Sequence, residues 1–457
     1  MTEHCTPSWG RGSLNDNDYY KFLMQARIFE IESEYTRCQN LLAIHLGKRV
    51  DMRRIPKTVR YRLFNRDHTP LCVDFQDFLD VVGLLFKGSQ DAYYQAHYLS
   101  GTPGLSEEYV FWLANKARSG FNVNMKATST KFNGVDVLDT LEFGGDWLEC
   151  ILFEVPLMAL ISELHFTGKK VRITTPSSDR PRVTKEMVKE NAVDFLHNIG
   201  DAKFVEFGTR RRFSYNAHKL MNTQLKKVPN YLGTSNVLFS QINGQCPVGT
   251  IAHEWFLAQF AMLMKDPCPN IKEQIRYALM FANRRAWFEW IGYRGPEGKY
   301  GPIERPDLEE NTVMLTDTFG SELFFTDMSS SLDSIRRFRH DSGDWMEFWK
   351  LFVRSHERVG ESWEDKTIIF SDSLNGAKVR KISDFFKTNK FPINILFGVG
   401  THLTNHFGYK PLNIVIKPVE FDGIPVLKIS DDPGKVTGGD DTKDILEVAR
   451  EMQSTSL

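Results

Sequence analysis

Three polar clusters in this sequence combine residue types that bind anions, and the first is a run of arginines. Arg210, Arg211 and Arg212 follow the apolar stretch that ends at Phe207, in the string FGTRRRFS. Guanidinium groups hold phosphate or carboxylate through paired hydrogen bonds and stay charged at physiological pH. A solvated charge run is the alternative interpretation. Because the arginines come directly after a predicted strand, we favour a site for an anionic substrate.

The second cluster, RHDSGD, covers Arg339 to Asp344 and precedes an amphipathic pattern that predicts a helix. Ser342 and Gly343 therefore fall near a helix amino terminus, where free N–H groups and the helix dipole attract anions. Asp341 and Asp344 carry oxygen atoms that suit Mg²⁺ or ribose hydroxyls. Asp344 is equally well explained as the cap of that helix. We predict phosphate binding at Ser342 and Gly343 and take Asp341 as the candidate metal ligand.

The third cluster is the glycine loop GVGT, in which Gly398, Gly400 and Thr401 follow an apolar stretch. Glycine lets backbone N–H groups approach a phosphate closely, and the threonine adds a hydroxyl. A tight turn explains two glycines about as well. The loop follows the last predicted strand before residue 410, at 395–397, and this position favours phosphate binding.

One histidine also follows a predicted strand end. His253 lies in the string GTIAHEW, next to Glu254. A single histidine beside a glutamate is usually a surface or helix-start residue, so the residues by themselves leave its role open. His340 and His402, which lie beside the predicted phosphate loops, are the other candidates.

The segments around these clusters predict the elements that position them. The first third of the chain is mixed: an alternating pattern turns at Asn133-Gly134, which predicts a hairpin, and a helical pattern runs from Leu148 to Leu164. From about Val171 helix and strand patterns alternate, and polar residues follow one strand after another. We therefore predict an α/β fold, an irregular (β/α) barrel with its site at the strand carboxyl ends. An open doubly wound sheet is the alternative, although it usually carries one glycine-rich fingerprint. The strands with polar ends are predicted at 204–207, 231–232, 247–248, 313–315, 335–338, 367–370 and 395–397.

This pattern divides the chain into three parts. Residues 1–170 are predicted to form an amino-terminal α+β domain, and residues 171–410 an α/β barrel domain. Residues 411–457 contain a second hairpin signal at Asp422-Gly423 and a polar tail, and we expect them to pack on the amino-terminal domain. The segment 292–311 is rich in glycine, proline and charge, so we expect a surface insertion rather than an active-site lid.

Composition limits the classes of function. The 457 residues include 57 basic and 58 acidic side chains, a balance that asks for neither nucleic acid nor an anionic membrane as partner. The longest apolar run, near 155–161, is far shorter than the roughly 20 residues of a membrane span, and no secretory signal is recognised. The six cysteines form no CxxC pair. We expect a reduced, cytoplasmic protein.

Taken together and in order, these motifs resemble the nicotinate phosphoribosyltransferase family over nearly the whole chain. The resemblance implies a type II phosphoribosyltransferase that forms a homodimer with active sites at the subunit interface. It implies nicotinate and phosphoribosyl pyrophosphate as substrates, Mg²⁺ as metal ion, and ATP hydrolysis coupled through a transiently phosphorylated histidine, which corresponds to His253. The strings that carry the resemblance are DNDYYK (16–21), EVPL (154–157), FGTRRRFS, GTSN (233–236), GTIAHEW, RHDSGD, FSDS (370–373), FGVGT and PLNIVIK (411–417).

The resemblance also assigns individual residues. Tyr20, Thr250 and Arg339 correspond to the nicotinate site, and Thr401 to a phosphoribosyl contact. We expect Arg210 and Arg339 to serve catalysis, since arginines stabilise the charge that develops on departing pyrophosphate. The expected product is nicotinate mononucleotide, made in NAD salvage. A sister enzyme for nicotinamide or quinolinate, and a non-catalytic phosphometabolite-binding protein on the same fold, are the alternatives.

Overall fold

The computed structural model describes residues 56–90, 93–94, 99–100, 107–168, 181–245, 247–266, 268–291 and 312–455. These residues form a mixed α/β protein with parallel and antiparallel sheets. No helix in the described part of the chain is long and apolar enough to cross a membrane. The strands are β1 (Thr58–Asn65), β2 (Val123–Phe132), β3 (Val135–Asp146), β4 (Phe204–Glu206), β5 (Tyr231–Thr234), β6 (Val313–Leu315), β7 (Arg337–His340), β8 (Thr367–Phe370), β9 (Asn394–Val399), β10 (Ile414–Phe421), β11 (Ile424–Pro425), β12 (Leu427–Lys428) and β13 (Thr437–Gly438). The helices are α1 (Phe75–Lys87), α2 (Glu107–Ser119), α3 (Trp147–Cys150), α4 (Glu154–Thr167), α5 (Lys185–Ile199), α6 (Tyr215–Leu225), α7 (Val237–Asn243), α8 (His253–Leu263), α9 (Ile271–Ile291), α10 (Ser321–Asp327), α11 (Trp345–Val359), α12 (Gly376–Asn389), α13 (Thr401–Thr404) and α14 (Lys443–Thr455).

The antiparallel sheet has the strand order β11-β10-β1-β3-β2. Its hairpins turn at Asn133-Gly134 and at Asp422-Gly423, where the four φ angles are 50°, 79°, 47° and 80°. Asparagine, aspartate and glycine tolerate this left-handed backbone, so both turns were recognisable in the sequence, and both hairpin predictions are confirmed. Strand β10 pairs with β1, so strands from the end of the chain extend the sheet formed by its beginning.

The parallel sheet has the strand order β5-β4-β9-β8-β7-β6, and every neighbouring pair is parallel. The carboxyl ends of all six strands therefore meet at one edge, where the polar clusters gather. The predicted strand at 247–248 is wrong: Val248 donates one backbone hydrogen bond to the Thr234 carbonyl and joins no ladder. Two boundaries also move, since Arg339 lies within β7 and Gly398 within β9 instead of following them.

Local signals explain where several helices begin and end. Thr184 caps α5 with its hydroxyl and Gly200, with φ 63°, follows the last turn, as the sequence predicts. The single helix predicted from 148 to 164 is instead two helices, one ending at Cys150 and the other beginning at Glu154. Pro156 accounts for the restart, because proline lacks an N–H and fits only the first turn of a helix.

Helix α8 lies in the interior of the described structure. All of its residues, from His253 to Leu263, are buried. The Glu254 carboxylate accepts hydrogen bonds from the Tyr61 hydroxyl of β1 and the Trp147 indole N–H of α3. These bonds attach the first turn of α8 to the antiparallel sheet. The position of His253 therefore depends on both sheets.

His356 makes the stability of this fold depend on pH. It is completely buried in α11, and its Nδ1–H donates to the Phe352 carbonyl over 2.8 Å. Burial lowers the pKa of His356 from 6.5 to about 4. Between these pH values the unfolded chain binds a proton that the folded protein does not. The stability that the neutral ring contributes above pH 6.5 is therefore lost as the pH falls through this window.

We expect His356→Phe to weaken this dependence, because phenylalanine keeps the ring packing but cannot bind a proton. The fall in the free energy of unfolding between pH 7 and pH 5, measured by urea denaturation, should be smaller than in the wild type by about 1–2 kcal/mol. His197→Phe, at an exposed position of α5, is the control and should retain the wild-type fall. A wild-type fall in His356→Phe would contradict the assignment.

Candidate active site

A cavity of about 560 Å³ opens at the carboxyl edge of the parallel sheet. Its walls come from the ends of several strands of this sheet, from α8 and from the chain after β11. Most of the lining side chains are charged or can donate hydrogen bonds. Among them are Arg66, Phe207, Arg210, Arg211, His253, Arg339, Asp341, Ser371, Gly398, Gly400, Thr401, Lys417, Lys428 and Lys435.

The Arg339 guanidinium is fixed on three sides. Its Nη2 donates to Asp341 Oδ1 over 2.6 Å, its Nη1 to the Thr250 hydroxyl over 2.6 Å, and its Nε to the Ser371 hydroxyl over 2.8 Å. The guanidinium carbon lies 5.4 Å from the centroid of the Phe207 ring, within cation–π range. Three of the five N–H groups are thereby used, and the others keep a fixed direction. A planar donor held in this way suits a carboxylate.

His253 lies at the start of α8, between two carboxylates. Its Nδ1 is 3.0 Å from the Thr318 hydroxyl, and its Nε2 is 3.2 Å from Asp341 Oδ2 and 3.7 Å from Asp317 Oδ1. Burial lowers the pKa of His253 to about 4, and the charge of Lys428 acts in the same direction while the two carboxylates oppose it. The ring is therefore neutral at pH 7 and carries a nucleophilic lone pair. Its exposure of 6% excludes the surface interpretation.

Asp317 is the less expected of the two carboxylates. It lies between β6 and α10 and is completely buried. Its Oδ2 accepts a hydrogen bond from the Ser342 hydroxyl and lies 3.2 Å from the Lys428 ammonium. Its Oδ1 faces His253 and has no hydrogen-bond partner among the described residues. A buried carboxylate oxygen in this state is suited to a ligand or a cation.

Asp341 completes a candidate cation site. Burial by itself would raise the pKa of Asp341, but the Arg339 charge and the hydrogen bond with His253 outweigh burial and hold the pKa well below its usual range. Ligand atoms of His253, Asp317 and Asp341 lie within 4.8 Å of one another. Two ionised carboxylates offer the oxygen ligands that Mg²⁺ prefers, so the residues present fit this ion.

The arginine run divides between the cavity and the interior. Arg210 and Arg211 line the cavity, whereas Arg212 is completely buried. Arg210 Nε lies 3.5 Å from the Glu154 carboxylate. Burial lowers the pKa of Arg211 to about 10, and the charges of Arg66 and Arg210 act in the same direction. Three cationic groups that repel one another at a cavity wall favour an anion between them.

Glu206 positions the loop that carries these arginines. It is completely buried at the end of β4, and its carboxylate accepts hydrogen bonds from the Gly208 amide, from the Thr234 hydroxyl over 2.6 Å and from the Asn222 amide over 3.3 Å. His218 Nε2 lies 2.8 Å from the same carboxylate. Burial favours the protonated form, but these partners prevail and lower the pKa of Glu206. The turn after β4 is therefore held at its first residues.

The glycine loop is shaped by contact with Phe207. A Cβ atom at Gly398 would lie 2.4 Å from the Phe207 ring, and one at Gly400 would lie 3.1 Å from the Phe207 carbonyl oxygen. Any larger residue at Gly398 would displace the ring that lies under the Arg339 guanidinium. Thr401 is the first residue of α13 and lines the cavity.

Known proteins are similar to this chain in sequence and in fold. Residues 202–452 match the model of the nicotinate phosphoribosyltransferase (NAPRTase) family. The nicotinate phosphoribosyltransferase of Methanosarcina mazei is 32% identical over 455 residues, which cover 96% of this chain and 97% of the relative. The chain belongs to the nicotinate phosphoribosyltransferase family. The family predicted from the sequence motifs is confirmed, and the protein is an enzyme of that family.

Solved structures give the same result for the fold. The nicotinate phosphoribosyltransferase of Porphyromonas gingivalis aligns with a TM-score of 0.67 at 24% identity, over 93% of this chain and 99% of that one. A protein from Saccharomyces cerevisiae, described as a putative nicotinate phosphoribosyltransferase, aligns with a TM-score of 0.66 at 26% identity, over 93% of this chain and 97% of that one. The fold of the family therefore extends over nearly the whole chain.

The structure brings most of the residues predicted for the site together. Arg210, His253, Arg339, Asp341, Gly398, Gly400 and Thr401 line the main cavity, and Thr250 bonds to one of them. Ser342 and Gly343 do not line it: they border a second cavity of about 520 Å³. Asp344 caps α11, accepting from the Met346 and Glu347 amides, so the alternative interpretation of this residue is confirmed. Tyr20 and the segment 292–311 lie outside the described residues.

Sequence reasoning missed several residues of the site. Asp317 stood in a polar strand end, TDT, but nothing there singled it out. Phe207 was counted only as the end of a strand. Lys428 and Lys435 gave no signal, because they belong to a part of the chain that was expected to pack only on the amino-terminal domain. Lys435 contacts the Asp372 carboxylate and donates to the Asp341 carbonyl over 3.2 Å.

We expect Glu206→Gln to destabilise the protein. The amide has the same size but cannot accept all the hydrogen bonds that the carboxylate receives, and a buried group left without a partner costs about 1–3 kcal/mol. Urea denaturation measures the loss. Glu190→Gln, on the exposed face of α5, is the matched control and should change stability by less than about 0.5 kcal/mol. Equal stability of the two variants would show that the Glu206 network does not hold the loop.

Proposed function

We propose that this protein transfers the phosphoribosyl group of phosphoribosyl pyrophosphate to nicotinate, yielding nicotinate mononucleotide and pyrophosphate in NAD salvage. The observation that carries the proposal is the convergence of Arg339, a neutral buried His253 and a wall of cationic side chains on one cavity. Arg339 suits a carboxylate substrate, the cationic wall suits a polyphosphate, and the neutral histidine suits a phosphoryl acceptor. The relative from Methanosarcina mazei is named a nicotinate phosphoribosyltransferase, which supports the same reaction.

In this proposal nicotinate binds at the Arg339 end of the cavity. The Arg339 fork holds the carboxylate of nicotinate, with Thr250 and Ser371 fixing its plane. Phe207, under the guanidinium, offers an aromatic face to the pyridine ring. Tyr20, which the family resemblance assigns to the same ring, is proposed as its second stacking partner.

Phosphoribosyl pyrophosphate occupies the rest of the cavity in this proposal. Its 5′-phosphate meets Gly398, Gly400 and Thr401, which line the cavity and offer a close backbone approach and a hydroxyl. Its pyrophosphate meets Arg210 and the neighbouring cationic wall. Ser342 acts indirectly, since its hydroxyl supports Asp317.

The chain supplies charge and orientation for the displacement. The bond from ribose C1 to pyrophosphate breaks as the pyridine nitrogen bonds to C1, and negative charge grows on the departing oxygen. Arg210 stabilises that charge, and one well-placed donor is typically worth about 3 kcal/mol. Mg²⁺, held by Asp317 and Asp341, would neutralise further charge on the pyrophosphate. The pyridine nitrogen already has a free lone pair, so the enzyme only needs to orient it.

ATP hydrolysis enters the proposal through His253. The neutral ring attacks the terminal phosphorus of ATP, ADP departs, and water later releases phosphate from the histidine. A phosphoryl group adds about 1.5 to 2 negative charges, enough to rearrange nearby cationic side chains. The energy of ATP then tightens substrate binding and favours product.

The remaining features are proposed from the family resemblance. They are an irregular (β/α) barrel built on the six parallel strands, a homodimer with active sites at the subunit interface, and a cytoplasmic location. Pyrophosphate release with nicotinate, nicotinamide and quinolinate in turn tests the substrate. Turnover with nicotinate alone supports the proposal, and turnover with either of the others in its place overturns it.

We expect Arg339→Lys to raise the KM for nicotinate more than the KM for phosphoribosyl pyrophosphate. An ammonium cannot replace a planar fork on a carboxylate, and the loss of one charge-assisted hydrogen bond costs about 1.5–3 kcal/mol, or roughly 10- to 150-fold. Steady-state kinetics with each substrate varied separately measure both constants. Arg337→Lys, two residues earlier in β7, is the control. An unchanged nicotinate KM in Arg339→Lys would remove this residue from the carboxylate site.

We expect His253→Asn to abolish phosphoenzyme formation. Asparagine is polar and of similar reach but has no imidazole nucleophile. Wild-type protein incubated with labelled ATP should carry acid-labile, base-stable label, and the variant should carry none. Slow ATP-independent product formation should persist, because the arginines and phosphate loops remain. Labelled His253→Asn protein would place the phosphoacceptor at another residue, with His340 and His402 tested next.

A further inference from the structure

The end of the chain contributes a buried cation to the surroundings of His253. Lys428 ends β12, and only 4% of its surface is exposed. Its ammonium lies 3.2 Å from Asp317 Oδ2 and borders the main cavity. A lysine is rarely buried unless it is paired, so this position has a specific partner to serve.

This partner is Asp317, and the contacts that hold its carboxylate are made mainly to its Oδ2 atom. Besides the Lys428 ammonium, Asp317 Oδ2 accepts from the Ser342 hydroxyl, and the Ser430 hydroxyl lies 3.4 Å from the same oxygen while donating to the Ser342 hydroxyl over 2.8 Å. Two of these three groups belong to the segment Lys428–Asp431. With Oδ2 fixed in this way, Oδ1 is directed to His253 Nε2 at 3.7 Å.

The same segment is fastened to the loop that supports His253. The Ile429 amide donates to the Thr318 carbonyl over 2.8 Å, and the Asp431 carboxylate accepts from the Ser321 amide over 2.7 Å. Thr318, the partner of His253 Nδ1, and Asp317, which lies near Nε2 together with Asp341, both lie on this loop. The segment therefore sets the position of the groups on both sides of the imidazole.

Charge gives the lysine a further role. Asp317 and Asp341 both lie near His253 Nε2, and two carboxylates oppose the approach of a phosphoryl group. Arg339 pairs with Asp341, and Lys428 pairs with Asp317. In an interior of low effective dielectric constant, removal of either cation is felt strongly at the ring nitrogen.

We infer that Lys428, supported by Ser430, is a positioning residue for phosphorylation of His253. It fixes Asp317 and offsets its charge, so that the terminal phosphoryl group of ATP can reach Nε2. The Nε2 lone pair attacks in the tautomer that carries the ring proton on Nδ1, where the Thr318 hydroxyl accepts the hydrogen bond. The N–P bond forms as the bond to ADP breaks, and the lysine takes no covalent part. This inference rests on the proposed function, since it concerns the phosphohistidine.

The test compares Lys428→Met, Lys428→Arg and Ser430→Ala in the full-length chain. We expect Lys428→Met to slow labelling of the protein by ATP at least about tenfold, equal to about 1.4 kcal/mol in the barrier. ATP-independent product formation should fall by a smaller factor. Lys428→Arg, which keeps the charge, should recover most of the labelling rate. Ser430→Ala should slow labelling by about threefold and preserves the lysine, so it tests the same support if Lys428→Met does not fold.

Lys443→Met, at an exposed position of α14, is the control and should label at the wild-type rate. Wild-type labelling in both Lys428→Met and Ser430→Ala would overturn the inference and leave the proposed function intact. An equal loss of labelling and of ATP-independent product formation would also overturn it, because the lysine would then serve the whole site. Absence of label in the wild-type protein would overturn the phosphohistidine itself and this inference with it.

Discussion

Charge compensation around His253 is the constraint on which the rest of the site depends. Two carboxylates lie 3.2 Å and 3.7 Å from one nitrogen of a buried ring. A buried ion without a partner costs several kcal/mol, so Asp317 and Asp341 require cations of their own. Lys428 and Arg339 provide them. The histidine can then remain neutral in a polar environment.

This compensation draws on two separate parts of the chain. Arg339 and Asp341 come from β7 and the turn after it, so the parallel sheet alone brings them together. Lys428 comes from β12, which the chain reaches only after β10 has paired with β1 in the antiparallel sheet. The catalytic edge of one sheet is thus completed by chain that has first crossed the other sheet.

The two sheets are also joined behind the histidine. Glu254, the next residue along the chain, receives hydrogen bonds from Tyr61 and Trp147, which both belong to the antiparallel-sheet side of the molecule. The first turn of α8 is therefore held by Glu254 on one side and by the partners of His253 on the other. Local order at this turn depends on elements more than a hundred residues away in sequence.

The sequence by itself determined what local chemistry dictates. Turn residues with positive φ set both hairpins, Thr184 and Gly200 set the ends of a helix, and polar residues after apolar stretches marked one edge of a parallel sheet. The family motifs contain many of the residues that line the cavity. Only the tertiary structure decided which residues face the cavity. The Ser342 hydroxyl donates to Asp317 in the interior, and Lys428, from the carboxyl-terminal part of the chain, lines the cavity. Such contacts depend on the packing of distant segments, and no short-range pattern in the sequence encodes them.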